Sequence, residues 1–238
     1  MKFLDLDSPL MRFLDKVADL MWLNILTMVC CIPLFTIGAS LTALHYMAIK
    51  IVREEECYIT RGFFKSFREN FRQSTVIWLI LVVVFAVLGG DFYLMMQHGV
   101  EINNIHRLFI MAVGVLVLFT AVMVFPMQAR FANPIRLTFK NAFTVAVLQF
   151  PKTFLMILLP AFPLLLCYLS WRLFPVAFLF GISAPAVVSA MLYNKIFLRM
   201  EAQLMEANAP EDVEEGQETE SIFSDKLDES ITEDTPFQ

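Results

Sequence analysis

The hydrophobic residues of this chain fall into long uninterrupted runs that are separated by short charged segments. The first run, Met21–Met47, carries no formal charge and contains Pro33 and Gly38. Uncharged apolar runs of about 18 residues or more predict helices that cross a lipid bilayer. The pattern therefore predicts an all-α, multi-pass membrane helix bundle. The four further uncharged runs, all close to spanning length, are Gln73–Gly90, Leu108–Ala129, Thr153–Trp171 and Leu173–Asn194.

The first run does not have the length of one crossing. At about 1.5 Å per residue it makes a helix of about 40 Å, whereas the hydrocarbon core is about 30 Å thick. Pro33 lacks a backbone N–H and disfavours helix for the preceding residue, Thr36 is able to cap a new helix, and Gly38 allows close packing. The run predicts a hairpin of two arms, about residues 10–32 and 35–52. A single crossing is the alternative.

The positions of Lys and Arg favour one of these two topologies. Residues 50–72 hold six basic residues and 130–152 hold four, whereas 91–107 and the link at Arg172 hold one each. Because cytoplasmic loops are enriched in Lys and Arg, the two poor segments are predicted to lie outside the cell membrane. The N-terminal segment has three basic residues, which favours the hairpin, six membrane segments and two cytoplasmic termini. Five crossings with an external N-terminus are the alternative.

Composition divides the chain into a membrane domain, residues 1–200, and a tail, residues 201–238. The whole chain has a mean hydropathy of +0.65 and 58% hydrophobic residues, whereas the tail has 13 acidic residues and one base. So acidic a segment with few apolar residues is predicted to be disordered, here on the cytoplasmic side. The predicted membrane segments are about 10–32, 35–52, 73–94, 107–128, 153–171 and 173–195.

Two segments between the apolar runs combine cations with phenylalanines at helical spacing. In about 61–72 the phenylalanines recur on one helical face, and about 134–149 follows a typical helix start, Asn133-Pro134. Both are predicted to be amphipathic helices that lie in the headgroup plane, with their cations toward anionic lipid. Docking on a cytoplasmic partner is the alternative. The candidate lipid or partner contacts are Phe63, Phe64, Phe67, Arg68, Phe71 and Arg72.

The chain has no residue pattern that indicates catalysis or metal binding. The motifs H-E-x-x-H, G-x-S-x-G and G-x-x-x-x-G-K-[ST] are absent, and the four cysteines have no C-x-x-C spacing. His45 is a candidate polar residue inside a membrane segment, although a hydrogen-bonded or interfacial structural histidine is the simpler interpretation. We expect a protein that is not an enzyme, with no catalytic residue, no metal site, no cofactor and no nucleic-acid partner.

Short motifs in the N-terminal part of the chain resemble one family of bacterial membrane proteins. They are Trp22-Leu23-Asn24, Cys31-Ile32-Pro33, Thr36-Ile37-Gly38, Ala43-Leu44-His45-Tyr46 and the run Phe63–Arg72. Together they resemble the YesL family, a domain of unknown function in Gram-positive bacteria. Four residues represent the hairpin bend and the family motif, which are Asn24, Pro33, Thr36 and Gly38.

The resemblance implies a role beside sugar uptake, because members are often encoded next to sugar-uptake ABC transporter components and carbohydrate-degrading enzymes. It implies no catalytic or ligand-binding residue. We expect an accessory or regulatory partner of a carbohydrate ABC uptake system, in contact with membrane lipids and with the ABC permease or ATPase subunits. The alternative is an independent small-solute transporter, which the proline-rich last segments and the polar residues of the hairpin support.

Overall fold

Helices make up all the regular structure of the residues that the structure describes. The computed structural model describes residues 9–55, 58–97 and 104–207, and the all-α prediction is confirmed there. The predicted acidic tail lies outside the described residues from residue 208 onward. The α-helices of the described chain are α1 (Pro9–Cys31), α2 (Ile37–Val52), α3 (Ile59–Gln97), α4 (Asn104–Arg130), α5 (Ile135–Leu148), α6 (Phe150–Leu158), α7 (Ala161–Leu169), α8 (Phe174–Phe180) and α9 (Ser183–Ala207).

The first apolar run is broken where its proline predicts a break. α1 ends at Cys31, and one 3₁₀ turn, Leu34–Thr36, leads into α2. Pro33 is extended (φ −76°, ψ 119°), as its ring and its missing N–H require. The Thr36 hydroxyl does not cap α2, because it lies 2.6 Å from the carbonyl oxygens of both Cys30 and Pro33. It therefore satisfies carbonyls at the end of α1 instead of N–H groups at the start of α2.

The two arms of the hairpin lie antiparallel. Lys16 Nζ, in the first half of α1, is 2.8 Å from Glu54 Oε1, just after α2. Further along α1, Trp22 Nε1 donates to Thr60 Oγ1 at the start of α3, at 2.8 Å. Both contacts are exposed and add little to stability, but they show which ends meet. The N-terminal half of α1 lies beside the segment that joins α2 to α3, as a hairpin requires.

The contact between α2 and α3 is the most extensive in the described fold, and Gly38 lies at a close approach of the two backbones. A methyl group on Gly38 would overlap the backbone carbonyl oxygen of Ser74 and lie 2.7 Å from Trp78 Cβ. One turn further along α2, the buried Thr42 and Ser74 hydroxyl oxygens are 2.8 Å apart. Small residues let membrane helices approach closely and form such hydrogen bonds. The buried face of α2 continues with Ala39, Ala43 and Ala48.

α3 is one helix of 39 residues. The predicted interfacial helix at about 61–72 and the predicted membrane segment at about 73–94 both belong to it, since no proline or glycine interrupts residues 63–88. At about 1.5 Å per residue α3 is about 58 Å long, nearly twice the thickness of the hydrocarbon core. Its basic first third therefore extends beyond any bilayer that its apolar part crosses. The second predicted amphipathic helix, about 134–149, corresponds to α5.

Helix breaks are frequent in the last third of the described chain. Pro160 separates α6 from α7, and a bend of 55° separates α8 from α9. α1 has 23 residues, but every 18-residue stretch of it includes Asp15, Lys16 and Asp19, so it is not apolar enough to count as a span. Six membrane segments were predicted, and the described residues contain four to five candidates. These are Leu34–Val52, Ile59–Leu94, Arg107–Arg130, Phe150–Leu169 and the bent pair Trp171–Phe180 with Ser183–Glu206.

Contacts along the chain separate it into two units, residues 1–194 and 195–238. The first unit contains the hairpin, α3 to α8 and the start of α9. In the second unit, residues 195–207 are described, and they are helical. The candidate sites below all lie within the first unit.

Candidate functional site

Three basic segments of the sequence lie at one end of the first unit. They are the start of α1, the segment from the end of α2 into the first third of α3, and α5. The hairpin brings the start of α1 to the basic segment after α2. A buried hydrogen-bonded chain then joins α3 to α5: Gln128 Nε2 donates to Asn70 Oδ1 at 3.2 Å, and Thr138 Oγ1 donates to Gln128 Oε1 at 3.3 Å. Gln128 and Thr138 are buried, so this chain ties the basic third of α3 to the basic helix α5. Basic segments gathered at one end are the pattern of a membrane protein with one Lys- and Arg-rich side.

The first third of α3 exposes cations beside phenylalanine rings. Phe64 is 47% exposed, and its neighbour one turn later, Arg68, is also exposed. Among the described residues Lys65, Arg68 and Arg72 have no ion pair, whereas the Arg61 guanidinium lies 5.9 Å from the Tyr58 ring centre. Apolar rings and unpaired cations on one face are suited to an anionic or acidic partner. The basic aromatic surface comprises the exposed Arg61, Phe64, Lys65, Arg68 and Arg72 and the half-buried Phe67 and Phe71.

One of the phenylalanines predicted for this surface is instead a core residue. Phe63 is completely buried and stacks on Phe67 with ring centres 6.2 Å apart. Phe67 in turn lies 5.5 Å from Phe71, centre to centre. The helical face that the four rings share is thus directed partly into the protein. Phe63 supports the row of rings from inside, and the remaining candidates stay available for contact.

Asn24, a residue of the predicted hairpin motif, stabilises a distant helix break. Its side chain is completely buried, and Oδ1 accepts hydrogen bonds from the backbone N–H groups of Ile182 at 2.9 Å and Ser183 at 3.0 Å. Its Nδ2 donates to the backbone carbonyl of Phe178 at 2.7 Å. The polar groups left open where α8 ends and α9 begins are therefore satisfied by one amide. An asparagine inside an apolar run was the available sequence signal, but it did not identify a partner so far along the chain.

His45 lies on α2 at the wall of a cavity. Its Nδ1 is 3.2 Å from the hydroxyl of Tyr193 on α9, and the two rings are 6.1 Å apart, centre to centre. Beyond that pair, Arg53 Nε donates to Asn194 Oδ1 at 2.8 Å. The two contacts hold the second half of α2 against the first half of α9. They also place a hydrogen-bonding imidazole at the cavity described further below.

The N-terminal part of the chain matches a known family. No curated protein and no solved structure matches the chain. The region that matches the family model, residues 20–92, extends from the second half of α1 through the hairpin bend and α2 to near the end of α3. It includes the hairpin motif and the basic aromatic surface, whereas α4 to α9 lie outside it. Residues 20–92 match the model of a family described as a protein of unknown function, DUF624.

Proposed function

We propose that this chain is a non-enzymatic, multi-pass protein of the cell membrane that acts as an accessory or regulatory partner of a carbohydrate ABC uptake system. The observation that carries the proposal is the basic aromatic surface, which lies at the end of the protein where the basic segments meet. The assignment to a carbohydrate system rests on the resemblance of the motifs between Trp22 and Arg72 to the YesL family. The partner would be an ABC permease or ATPase subunit.

The distribution of charge supports a cytoplasmic position for this surface. Lys- and Arg-rich segments remain on the cytoplasmic side of membrane proteins. The hairpin contact between Lys16 and Glu54 and the buried chain from Asn70 to Thr138 bring three such segments together. Both chain termini would then lie in the cytoplasm, on the side where an ABC ATPase works.

The chemistry of the surface supports protein docking. Aromatic residues and arginine are enriched in protein interfaces and dominate their binding energy. Phe64 and Arg68 are exposed one helical turn apart, and Arg68 has no ion pair among the described residues. A partner that offers an apolar pocket beside acidic side chains would desolvate the ring and pair the guanidinium. Anionic headgroups satisfy the cations as well, so lipid binding alone is the competing outcome.

Co-purification from detergent tests the proposal. The full chain would be co-expressed with tagged permease and ATPase subunits of a carbohydrate ABC uptake system from the same organism. We expect the wild-type chain to be recovered with a tagged subunit, and Phe64→Ala/Arg68→Ala to reduce recovery at least about tenfold, as the loss of an interface hot spot does. Recovery of lipid but of neither subunit would contradict the proposal.

A matched control separates loss of docking from loss of charge or of fold. The double variant Arg136→Ala/Leu137→Ala removes one exposed cation and one exposed apolar side chain from α5, on the same end of the protein. We expect it to retain the partner. Both double variants could instead lose the partner equally while their melting temperatures are unchanged. The whole basic end of the protein would then attract the subunit through charge, and the hypothesis that α3 docks on it would be wrong.

An independent small-solute transporter is the second candidate, and the break between α8 and α9 is the observation that favours it. Transporters build their sites at interrupted helices whose freed backbone groups are satisfied locally. Asn24 has this role here. Uptake of labelled sugars into liposomes that contain only the purified chain would favour this candidate over the accessory role.

A further inference from the structure

The cavity beside His45 is large enough for a ligand. It has a volume of about 600 Å³, which is within the range of small-molecule sites. Helices α1, α2, α4 and α6 to α9 form its wall, with one residue from α3. The prolines Pro160, Pro163 and Pro185 line it, and each lies at or near a helix break.

The wall of the cavity defines the polarity of a ligand. Large apolar side chains such as Leu44, Phe125 and Phe178 dominate it, and none of the lining residues carries a formal charge. A charged group buried there would lack a partner, which costs several kcal/mol or more. An apolar body without net charge fits the wall best.

One side of the cavity offers a specific polar contact. His45 Nδ1 is engaged with the Tyr193 hydroxyl at 3.2 Å, and Nε2 has no hydrogen-bond partner among the described residues. A neutral imidazole has one donor nitrogen and one acceptor nitrogen, and the Tyr193 hydroxyl is able to pair with either form. Nε2 is an acceptor in one tautomer and a donor in the other. A ligand hydroxyl donates to Nε2 in the first tautomer and accepts from it in the second. A hydroxyl is therefore the group that this position recognises in either tautomer.

We propose that this cavity binds a neutral amphiphile with one apolar chain and one hydroxyl group, and that the hydroxyl pairs with His45 Nε2. The site uses none of the cations of the basic aromatic surface, and it does not depend on the proposed ABC partner. An acyl chain of a membrane lipid that fills the space without recognition of its polar group is the competing occupant.

Photolabelling of the full chain tests the site. The probe is dodecanol with a diazirine in its chain, applied to the protein in vesicles of phosphatidylethanolamine and phosphatidylglycerol. We expect the label on cavity residues such as Leu44, Phe125 and Phe178, and competition by unlabelled dodecanol about tenfold stronger than by dodecane, the effect of one buried hydrogen bond. Dodecanoate should compete less well than dodecanol because its charge would be unpaired.

Two variants and one control complete the experiment. Ala121→Trp fills the cavity from α4 and should abolish cavity labelling, whereas Val115→Trp places the same side chain on the exposed surface of α4 and should not. His45→Phe keeps the cavity lined by a ring and should remove the preference for dodecanol over dodecane. Equal competition by dodecane and dodecanol in the wild type would show that the cavity accepts an apolar chain without recognising a hydroxyl group, and it would overturn the proposal. Labels spread over the outer helix surfaces would overturn it as well.

Discussion

The side-chain oxygen of Asn24 lies 3.0 Å from the backbone nitrogen of Ser183, the first residue of α9. The same oxygen accepts the N–H of Ile182, and the amide nitrogen donates to Phe178 near the end of α8. Backbone groups at a helix break in apolar surroundings are costly unless they are paired. One side chain of the hairpin therefore stabilises both sides of a bend near the opposite end of the described chain.

Replacement of Asn24 should destabilise the protein strongly. Asn24→Ala leaves the buried N–H group of Ser183, the part-buried N–H group of Ile182 and the carbonyl of Phe178 without this partner, and we expect the free energy of unfolding to fall by about 3 kcal/mol. Thr27→Val is the matched control, since Thr27 is equally buried but, among the described residues, its hydroxyl bonds to Leu23 of its own helix alone. Denaturant titration in detergent measures both. A similar small loss for the two variants would show that the amide does not hold the break.

Gly38 should not tolerate even one methyl group. In Gly38→Ala the new methyl overlaps the Ser74 carbonyl oxygen, which belongs to the backbone of α3 and cannot move freely. We expect a loss of about 2 kcal/mol in the free energy of unfolding. Gly89 and Gly90 lie in α3, and no atom of the described part of the chain lies within 4 Å of a methyl group added at either position. Gly89→Ala and Gly90→Ala should therefore leave stability unchanged or raise it slightly, because alanine favours a helix. Equal losses at all three positions would be inconsistent with this packing.

The hairpin predicts a specific cross-link. In a chain without its native cysteines, Lys16→Cys/Glu54→Cys should react rapidly with a short bismaleimide, since the native side chains meet at 2.8 Å. Pairing Lys16→Cys with Arg172→Cys, at the link between α7 and α8, is the control and should give no intramolecular product. Electrophoretic mobility shows the product. Failure of the first pair, with both cysteines reactive toward monofunctional maleimide, would exclude antiparallel arms.

Sidedness is a separate prediction. Ser8→Cys should be labelled by a membrane-impermeant maleimide only after the cells are permeabilised, because the basic end is predicted to lie in the cytoplasm. Arg172→Cys, in a link with one basic residue, should be labelled in intact cells. Labelling of Ser8→Cys from outside would support five crossings with an external N-terminus. It would also contradict a cytoplasmic position of the basic aromatic surface.

Features that depend on a few consecutive residues could be read from the sequence. The break after α1 follows from Pro33 alone, and the start of α5 follows from Asn133-Pro134. The continuity of α3 was predictable too, since residues 63–88 contain no helix breaker, but the change from basic to apolar residues suggested two elements. The predicted first segment, 10–32, is helical, although its charged first half is less apolar than a membrane span requires.

The sequence by itself determined the helical class, the long apolar segments and the position of the hairpin bend, because backbone preference and hydrophobic length are local properties. Only the tertiary structure decided that Phe63 is buried while Phe64 is exposed, that Gly38 lies against the backbone of Ser74, and that Asn24 reaches Ser183. The physical reason is the same in each case. Burial and hydrogen-bond partners depend on which distant helix packs against a residue, and no spacing along one chain segment contains that information.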